Sequence, residues 1–499
     1  MIKRLLISMS LSLVVLTIQA QRIGCVHSEE RSATRSDSYA LPMPIDFDPQ
    51  KTYRQPVVLI TFSDQDFSMD NPKEYYDRLF NEKGFNKGYG VGCVADYFRD
   101  QSGGRLNMQF DIYGPFKVNK SAGGHGSSYY GEDVMINALQ QLYETETTDF
   151  SVYNWDTDTL VNQVIFVTAG YSGHQTAGYI WPNTGRLRAK LPGGIYLHFG
   201  SISCELWEDG TLCGIGVIAH EFCHCIGLPD VYPMSPASIY SAVDEWDLMD
   251  GGNYINKGWC PANFSAMEKM YLGWGKPEEL TEPTTVTDMK PIGNGGKTYI
   301  IRNSGYADEY YLLENRQQVG WDYGCPGNGL LISHVDFSQS AWGDNCVNIS
   351  NSHFRYDLFH ADGKSYLDWD PQNNCKDMTR YTMADNMRSS YLSTSAYPYT
   401  NPETQLLNDL LTDTSSPASV LFNDNAEGVK LMGKSITNIR MHSDGTISFD
   451  FMKNSTGINA VVDTQKNDDH WYDLQGRRLY HEPTRKGLYI HNGKLVPKN

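Results

Sequence analysis

The sequence predicts an α+β chain: an α/β first half, a β-rich second half of sandwich type, and a short β tail. Three observations carry that reading. Between Pro56 and Thr168, buried-strand patterns alternate with helical ones. After Pro277 the segments become short and β-rich, divided by Gly, Asn and Asp, as in "TYIIRN", "YYLLEN" and "GLLISHVDF". Near the end of that region, "ITNIRMHSDGTISFDF" (Ile436 to Phe451) reads as two alternating strands around an Asp-Gly turn.

Taken in chain order, residues 1–20 read as a secretory signal peptide: Lys3 and Arg4, an apolar run from Leu5 to Ile18, and a small residue at Ala20. The run is shorter than the roughly 20 residues that span a bilayer, which disfavours an anchor. Cys25 raises a lipoprotein alternative, against which Arg22 stands where that class carries a leucine. Residues 21–52 are a polar lead-in or short pro-segment. Order is expected from the β-branched run Pro56 to Phe62, then in helices near Val94 to Arg99 and Val134 to Tyr143, then in a second buried strand from Val161 to Thr168. These belong to a first domain, 53–276. A β-rich domain follows at 277–453, and residues 454–499 form a linker and a small β tail with turns at Gly476 and "HNG".

The net charge of −18 argues against a nucleic-acid partner, because phosphate binding needs a basic footprint. No later segment is apolar enough to insert in a membrane, so the expected location is secreted or cell surface. All ten cysteines lie after the expected cleavage site, where disulfides are permitted. Cys204 with Cys213 and Cys325 with Cys346 are the sequence-near candidate pairs, although spacing does not fix connectivity.

The chemistry is concentrated in "VIAHEFCHCIGLPDVY", Val217 to Tyr232. His220 and His224 are four apart, so a helix projects both from one face onto one ion. Glu221 occupies the general-base position of an HExxH motif. Two histidines do not complete a catalytic zinc site, which takes three protein ligands and a water. Gly227 is placed to end the helix in left-handed conformation, and Asp230 then swings under the ion. The result, HExxHxxGxxD, resembles the metzincin arrangement with aspartate as third ligand, and "EWDLMDGGNY" supplies Met249 for the methionine turn. Glu245 is the competing third ligand, in a thermolysin-like reading that Gly227 and Pro229 disfavour by ending the helix early. Cys223 and Cys225 point away from the histidine face and read as small buried residues rather than ligands, unless one is disulfide-bonded. Tyr254 is a candidate oxyanion donor, with packing the favoured role. His334, Asp336, His353, His360 and Asp362 form a candidate second metal cluster, weighed against ordinary hydrogen bonding on strands.

These motifs, with "VADYFRDQSGGRLNMQFDIYGP", "PANFSAMEKMYLGW", "YYLLENRQQVGWD" and "TDTSSPAS", resemble the immune inhibitor A family of secreted bacterial metallopeptidases over most of the chain. The resemblance implies a zinc endopeptidase acting on proteins or peptides, with His220, His224 and Asp230 holding Zn2+ and Glu221 as base. Family members often carry a calcium loop of DxDxDG type. Here Asn154, Asp156 and Asp158 are followed by Thr159 where the glycine belongs, so structural Ca2+ is a weaker expectation. The tail resembles sorting segments of surface proteins from anaerobic Gram-negative bacteria; a small packed β unit is the equal alternative. The rival function is a surface adhesin on an inactive peptidase scaffold, which leaves Glu221 without a use.

Overall fold

The computed structural model describes residues 41–453 and 471–498, apart from 86, 88–89, 127–128, 146–148, 156–159, 174–175, 191–195, 234–241, 351, 370–389, 473–477, 480, 485 and 492–493. The chain divides into two units, 1–452 and 453–499. The signal peptide, Cys25, Asp156, Asp158, Thr159 and the turns at Gly476 and 492–493 lie outside the described residues.

The first half of the larger unit runs β1 (Thr52–Thr61), α1 (Pro72–Asn81), α2 (Val94–Gln101), β2 (Asn107–Lys117), α3 (Glu132–Thr145), β3 (Leu160–Tyr171), β4 (Asn183–Lys190), β5 (Tyr196–Leu206), α4 (Gly216–Cys225) and α5 (Ala266–Tyr271). The five strands form one sheet in the order β2-β1-β3-β5-β4. All neighbours are parallel except β4, which runs antiparallel along β5 at the edge. Parallel strands buried on both faces need apolar residues at consecutive positions, and Val57, Val58, Leu59 and Ile60 of β1 are all fully buried. Leu59 packs on the α1, α2 and α4 side, while Val58 and Ile60 face α3. Helix α1 starts on Pro72, whose missing N–H costs nothing in the first turn. At α2, Cys93 and Asp96 satisfy each other's backbone N–H in a capping box.

The second half runs β6 (Glu278–Glu279), β7 (Thr284–Met289), β8 (Tyr299–Arg302), β9 (Glu309–Arg316), β10 (Gly329–Asp336), α6 (Gln339–Gly343), β11 (Tyr356–Leu358), β12 (Tyr399–Thr400), β13 (Leu407–Asn408), β14 (Ile436–Met441) and β15 (Ile447–Phe451). One sheet has the order β11-β10-β9-β8-β6 and a second β14-β15-β7, with β14 and β15 forming the expected antiparallel pair. All of β9 is buried, which a sheet with one wet face does not produce. Its alternate residues serve two cores: Tyr311 and Leu313 meet Ile436, Ile447 and Phe449 of the second sheet, whereas Tyr310 and Leu312 join the cluster containing Tyr97, Phe222 and Met249. The cluster containing Tyr97, Phe222 and Met249 therefore runs across the boundary at 276.

Polar contacts tie the same halves together. Arg316, fully buried on β9, donates to both oxygens of Asp322 at 2.6 and 2.8 Å, to Glu314 at 3.0 Å and to the Trp246 carbonyl at 2.8 Å. Glu314 in turn accepts from the Ala266 N–H at the start of α5. Residues 41–47 of the lead-in also pack: Leu41 N–H donates to the Gly343 carbonyl at 2.8 Å, and Phe47 sits edge-on to Tyr53 and Trp155.

The candidate disulfides are thiols. Cys204 and Cys213 lie side by side with sulfurs 3.9 Å apart. Cys325 is buried with Cys260 and Trp246 and donates to Asp322 at 3.2 Å, whereas half-buried Cys346 donates to the Asp344 carbonyl, so those two are separated by their packing. Among the described residues no helix is long and apolar enough to cross a membrane. The smaller unit contains a four-stranded sheet, β17-β16-β18-β19, made of β16 (Trp471–Tyr472), β17 (Arg478–Leu479), β18 (Gly487–His491) and β19 (Lys494–Lys498), with Trp471 stacked on His491.

Because β9 belongs to both cores, Leu312→Ala and Leu313→Ala should each lower stability by about 2–5 kcal/mol. Both should move the same single unfolding transition of the larger unit, followed by denaturant titration with circular dichroism and tryptophan fluorescence. Two separable transitions, each sensitive to one variant, would refute the shared core.

Candidate metal centre

Helix α4 is apolar on nearly every side and fully buried, so the polar side chains it carries need partners. Its start fits tightly: a Cβ on Gly216 would lie 1.8 Å from the Asn253 carbonyl oxygen. Its end is a Schellman turn. Gly227 has φ +106°, its N–H donates to the His224 carbonyl at 3.1 Å, and the Leu228 N–H donates to the Cys223 carbonyl at 3.0 Å. A Cβ on Gly227 would meet the Pro42 carbonyl oxygen at 2.6 Å, so both conformation and the packed lead-in require glycine there.

Beyond that turn the chain doubles back and brings Asp230 to the histidines. Asp230 Oδ1 is 3.1 Å from His220 Nε2 and 3.3 Å from His224 Nε2. Among the described residues these three form the group able to hold a metal ion, with ligand atoms within 4.8 Å of one another. The opposite ring nitrogens are fixed by backbone: His220 Nδ1–H donates to the Leu248 carbonyl at 2.9 Å, and His224 Nδ1–H to the Leu228 carbonyl at 2.8 Å. With Nδ1 held by the backbone, Nε2 is the nitrogen that each ring turns toward the centre.

The electrostatics suit a cation. Burial alone disfavours a charged His220, but the Asp230 carboxylate against Nε2 outweighs it and raises the imidazole to about 9. Burial likewise works against the Asp230 charge, yet the two histidines hold its carboxyl far below the usual carboxylate range. Buried negative charge is thus retained here because positive charge faces it.

Met249 is fully buried, and its carbonyl accepts from the N–H of Val231, the residue after Asp230, at 3.1 Å. The turn is shaped by Asp247, whose carboxylate accepts from the Met249 N–H at 2.9 Å and from the Tyr356 hydroxyl at 3.2 Å. Glu221, one residue past the first histidine, is also buried. The Thr184 hydroxyl of edge strand β4 lies 2.8 Å from both Glu221 Oε2 and its carbonyl oxygen.

Two groups at this centre escaped the sequence reading. Thr184 has no local signal, since it acts from a strand 37 residues before Glu221. Asn345 is 115 residues beyond Asp230; its Nδ2 donates to Asp230 Oδ2 at 2.8 Å and its Oδ1 accepts from the Asp230 N–H at 2.6 Å. Glu245 is not part of the metal-capable group. Tyr254 packs edge-on to Trp207 beside Cys204, Cys213 and Val217. Cys223 and Cys225 are buried thiols.

The candidate second metal cluster does not assemble. His334 pairs with Glu309 at 2.7 Å, while His353 and Arg355 share Asp336, each at 2.8 Å. His360 stacks on Tyr391, and burial lowers its imidazole to about 4; Asp362 accepts from the Trp369 indole. His334 and Asp336 share one face of β10, but Glu309 engages the first and His353 and Arg355 the second, which leaves them engaged with protein groups. Of the weaker calcium loop, only Asn154 and its neighbour Trp155 are described, with the Trp155 N–H donating to Asn162.

Comparison with known proteins places this geometry in context. The model described as Immune inhibitor A peptidase M6, catalytic domain, matches residues 207–275. The chain is 23% identical over 239 residues to Pre-pro-metalloprotease PrtV of Vibrio cholerae serotype O1, covering 40% of this chain and 26% of that protein. It is 24% identical over 250 residues to Immune inhibitor A of Bacillus thuringiensis subsp. alesti, covering 41% of this chain and 36% of that protein. The match therefore spans about a quarter to a third of these relatives' lengths. The resemblance to the immune inhibitor A peptidase family is thereby shown over residues 207–275, the stretch that carries α4, Glu221, all three metal-capable residues and Met249.

Proposed function

We propose that this protein is an exported, zinc-dependent endopeptidase of metzincin-like architecture, with His220, His224 and Asp230 as ligands and Glu221 as general base. The carrying observation is the convergence of two imidazole nitrogens and a carboxylate oxygen within 4.8 Å, beside a buried glutamate on the same helix. This donor set fits zinc, which takes imidazole nitrogen and carboxylate oxygen and in catalytic sites uses three protein ligands. When bound, zinc supplies a water whose pKa falls to about 7 and polarises the carbonyl under attack.

The chain's own residues do the rest. The Leu248 and Leu228 carbonyls keep both imidazoles in the tautomer that offers Nε2. Glu221 accepts the proton of the attacking water and returns it to the leaving amine. Thr184 holds that carboxylate in place, so little motion is spent on finding the proton. Protein substrates are supported by the family match and by the relative named as a metalloprotease. Export is supported by the leader from Met1 to Ala20. The antiparallel edge strand β4 beside the histidine helix, and the glycine turn after it, support the metzincin-like reading. The core shared by the second half's two sheets supports the sandwich-type reading.

The first test is zinc content together with cleavage of casein. Glu221→Gln should keep one zinc per chain while turnover falls by about 10²–10⁴-fold; unchanged turnover would overturn the role of Glu221. Asp230→Ala should lose the metal and Glu245→Ala should retain it, as read by metal analysis after dialysis; the reverse pattern would transfer the third-ligand role to Glu245. Thr184→Val should lower kcat by roughly tenfold with KM and zinc content little changed, and Thr184→Ser should restore most of it, since only the hydroxyl is needed.

A further inference from the structure

The short helix α6 ends as α4 does. Asp344 caps it, Asn345 follows at φ +54°, the Asn345 N–H reaches back to the Trp342 carbonyl at 3.3 Å and the Cys346 N–H to the Ala341 carbonyl at 2.7 Å. This is a second Schellman turn, and its left-handed position is one where glycine is the default and asparagine the common substitute. The side chain at this position is in use. Its amide makes a two-point clamp on Asp230: the nitrogen donates to Oδ2 at 2.8 Å, and the oxygen accepts from the backbone N–H at 2.6 Å. All parties are buried, Asp230 at 1% exposure and Asn345 at 2%.

The clamp has geometric force. A carboxylate can rotate about its Cβ–Cγ bond and present either oxygen, or both, to a cation. With Oδ2 taken by Asn345, Oδ1 is the oxygen left facing His220 and His224. The same loop fixes the next residue: Asn348 Nδ2 donates to the Val231 carbonyl at 2.7 Å and to the Tyr356 carbonyl at 2.8 Å. Tyr356 itself reaches Asp247 in the methionine turn. The β-rich half therefore contacts both the ligand loop and the turn that carries Met249.

We propose that Asn345 is a positioning residue for the metal: it orients the Asp230 carboxylate as a single-oxygen ligand, so the β-rich half completes the metal centre. This rests on the reading of His220, His224 and Asp230 as zinc ligands. It does not rest on catalysis, because its effect is on how tightly the ion is held.

The test uses the full mature chain and zinc alone, titrated against a competing chelator. Asn345→Gly keeps the left-handed backbone and removes the clamp; because it strands the buried Asp230 Oδ2 and N–H, the metal-free variant should fold but unfold several degrees below wild type. Its zinc affinity should fall by about 10–100-fold, the size expected when the partner of a metal ligand is lost. Asn345→Asp places a second carboxylate against Asp230 and should weaken zinc at least as much. A wild-type protein that binds zinc tightly and an Asn345→Gly variant of equal affinity would overturn this inference while leaving the peptidase reading intact. A wild-type protein that binds no zinc would overturn both. If Asn345→Gly fails to fold, Asn345→Asp, which preserves shape and packing, carries the same measurement.

Discussion

One buried carboxylate organises the centre. Asp230 Oδ1 faces two imidazole nitrogens and Oδ2 faces an amide. A carboxylate withdrawn from water is costly unless each lone pair finds a donor or a cation. Satisfying it requires that a helix stop at Gly227, that the Leu248 carbonyl turn the His220 ring, and that a loop from the second half arrive with Asn345. The same field that holds a proton on His220 above neutrality favours a divalent ion in its place, since both bring positive charge to Oδ1.

The loop carrying Asn345 has a fixed address because β9 and β10 are anchored on both faces. Alternation along β9 sends Tyr310 and Leu312 one way and Tyr311 and Leu313 the other. Arg316 adds a buried guanidinium whose donors span Trp246, Glu314 and Asp322. Such ion pairs add little net stability, but removing one partner strands the others, and this gives the junction specificity rather than strength.

The local part of the design was readable from the chain alone. His220 and His224 at helical spacing, Gly227 as the stop, Asp230 after it and Met249 in its turn all lie within thirty residues of one another, where geometry follows from short-range rules. The strand from Pro56 and the helix at Val94 were readable for the same reason. What escaped was non-local. Thr184 and Asn345 are ordinary polar residues until the fold brings them to Glu221 and Asp230. Strand β5 gives a blurred signal because Ser201, Ser203 and Glu205 are polar yet buried, with Glu205 accepting from Ser68 and Gly170. The histidine and aspartate cluster of the second half misled because its members already have protein partners: Glu309 holds His334, and Asp336 is shared by His353 and Arg355.

The 115-residue span between Asp230 and Asn345 also sets an order of events during synthesis. A nascent chain that has emerged as far as residue 275 already carries both histidines, the glutamate and the methionine turn. It still lacks the group that aims Asp230 and the strands that bury it. Contacts of such long range form late, because the intervening loop must close first. On the proposed reading, full affinity for the ion is then reached late, after the β-rich half has been made and has folded against the first.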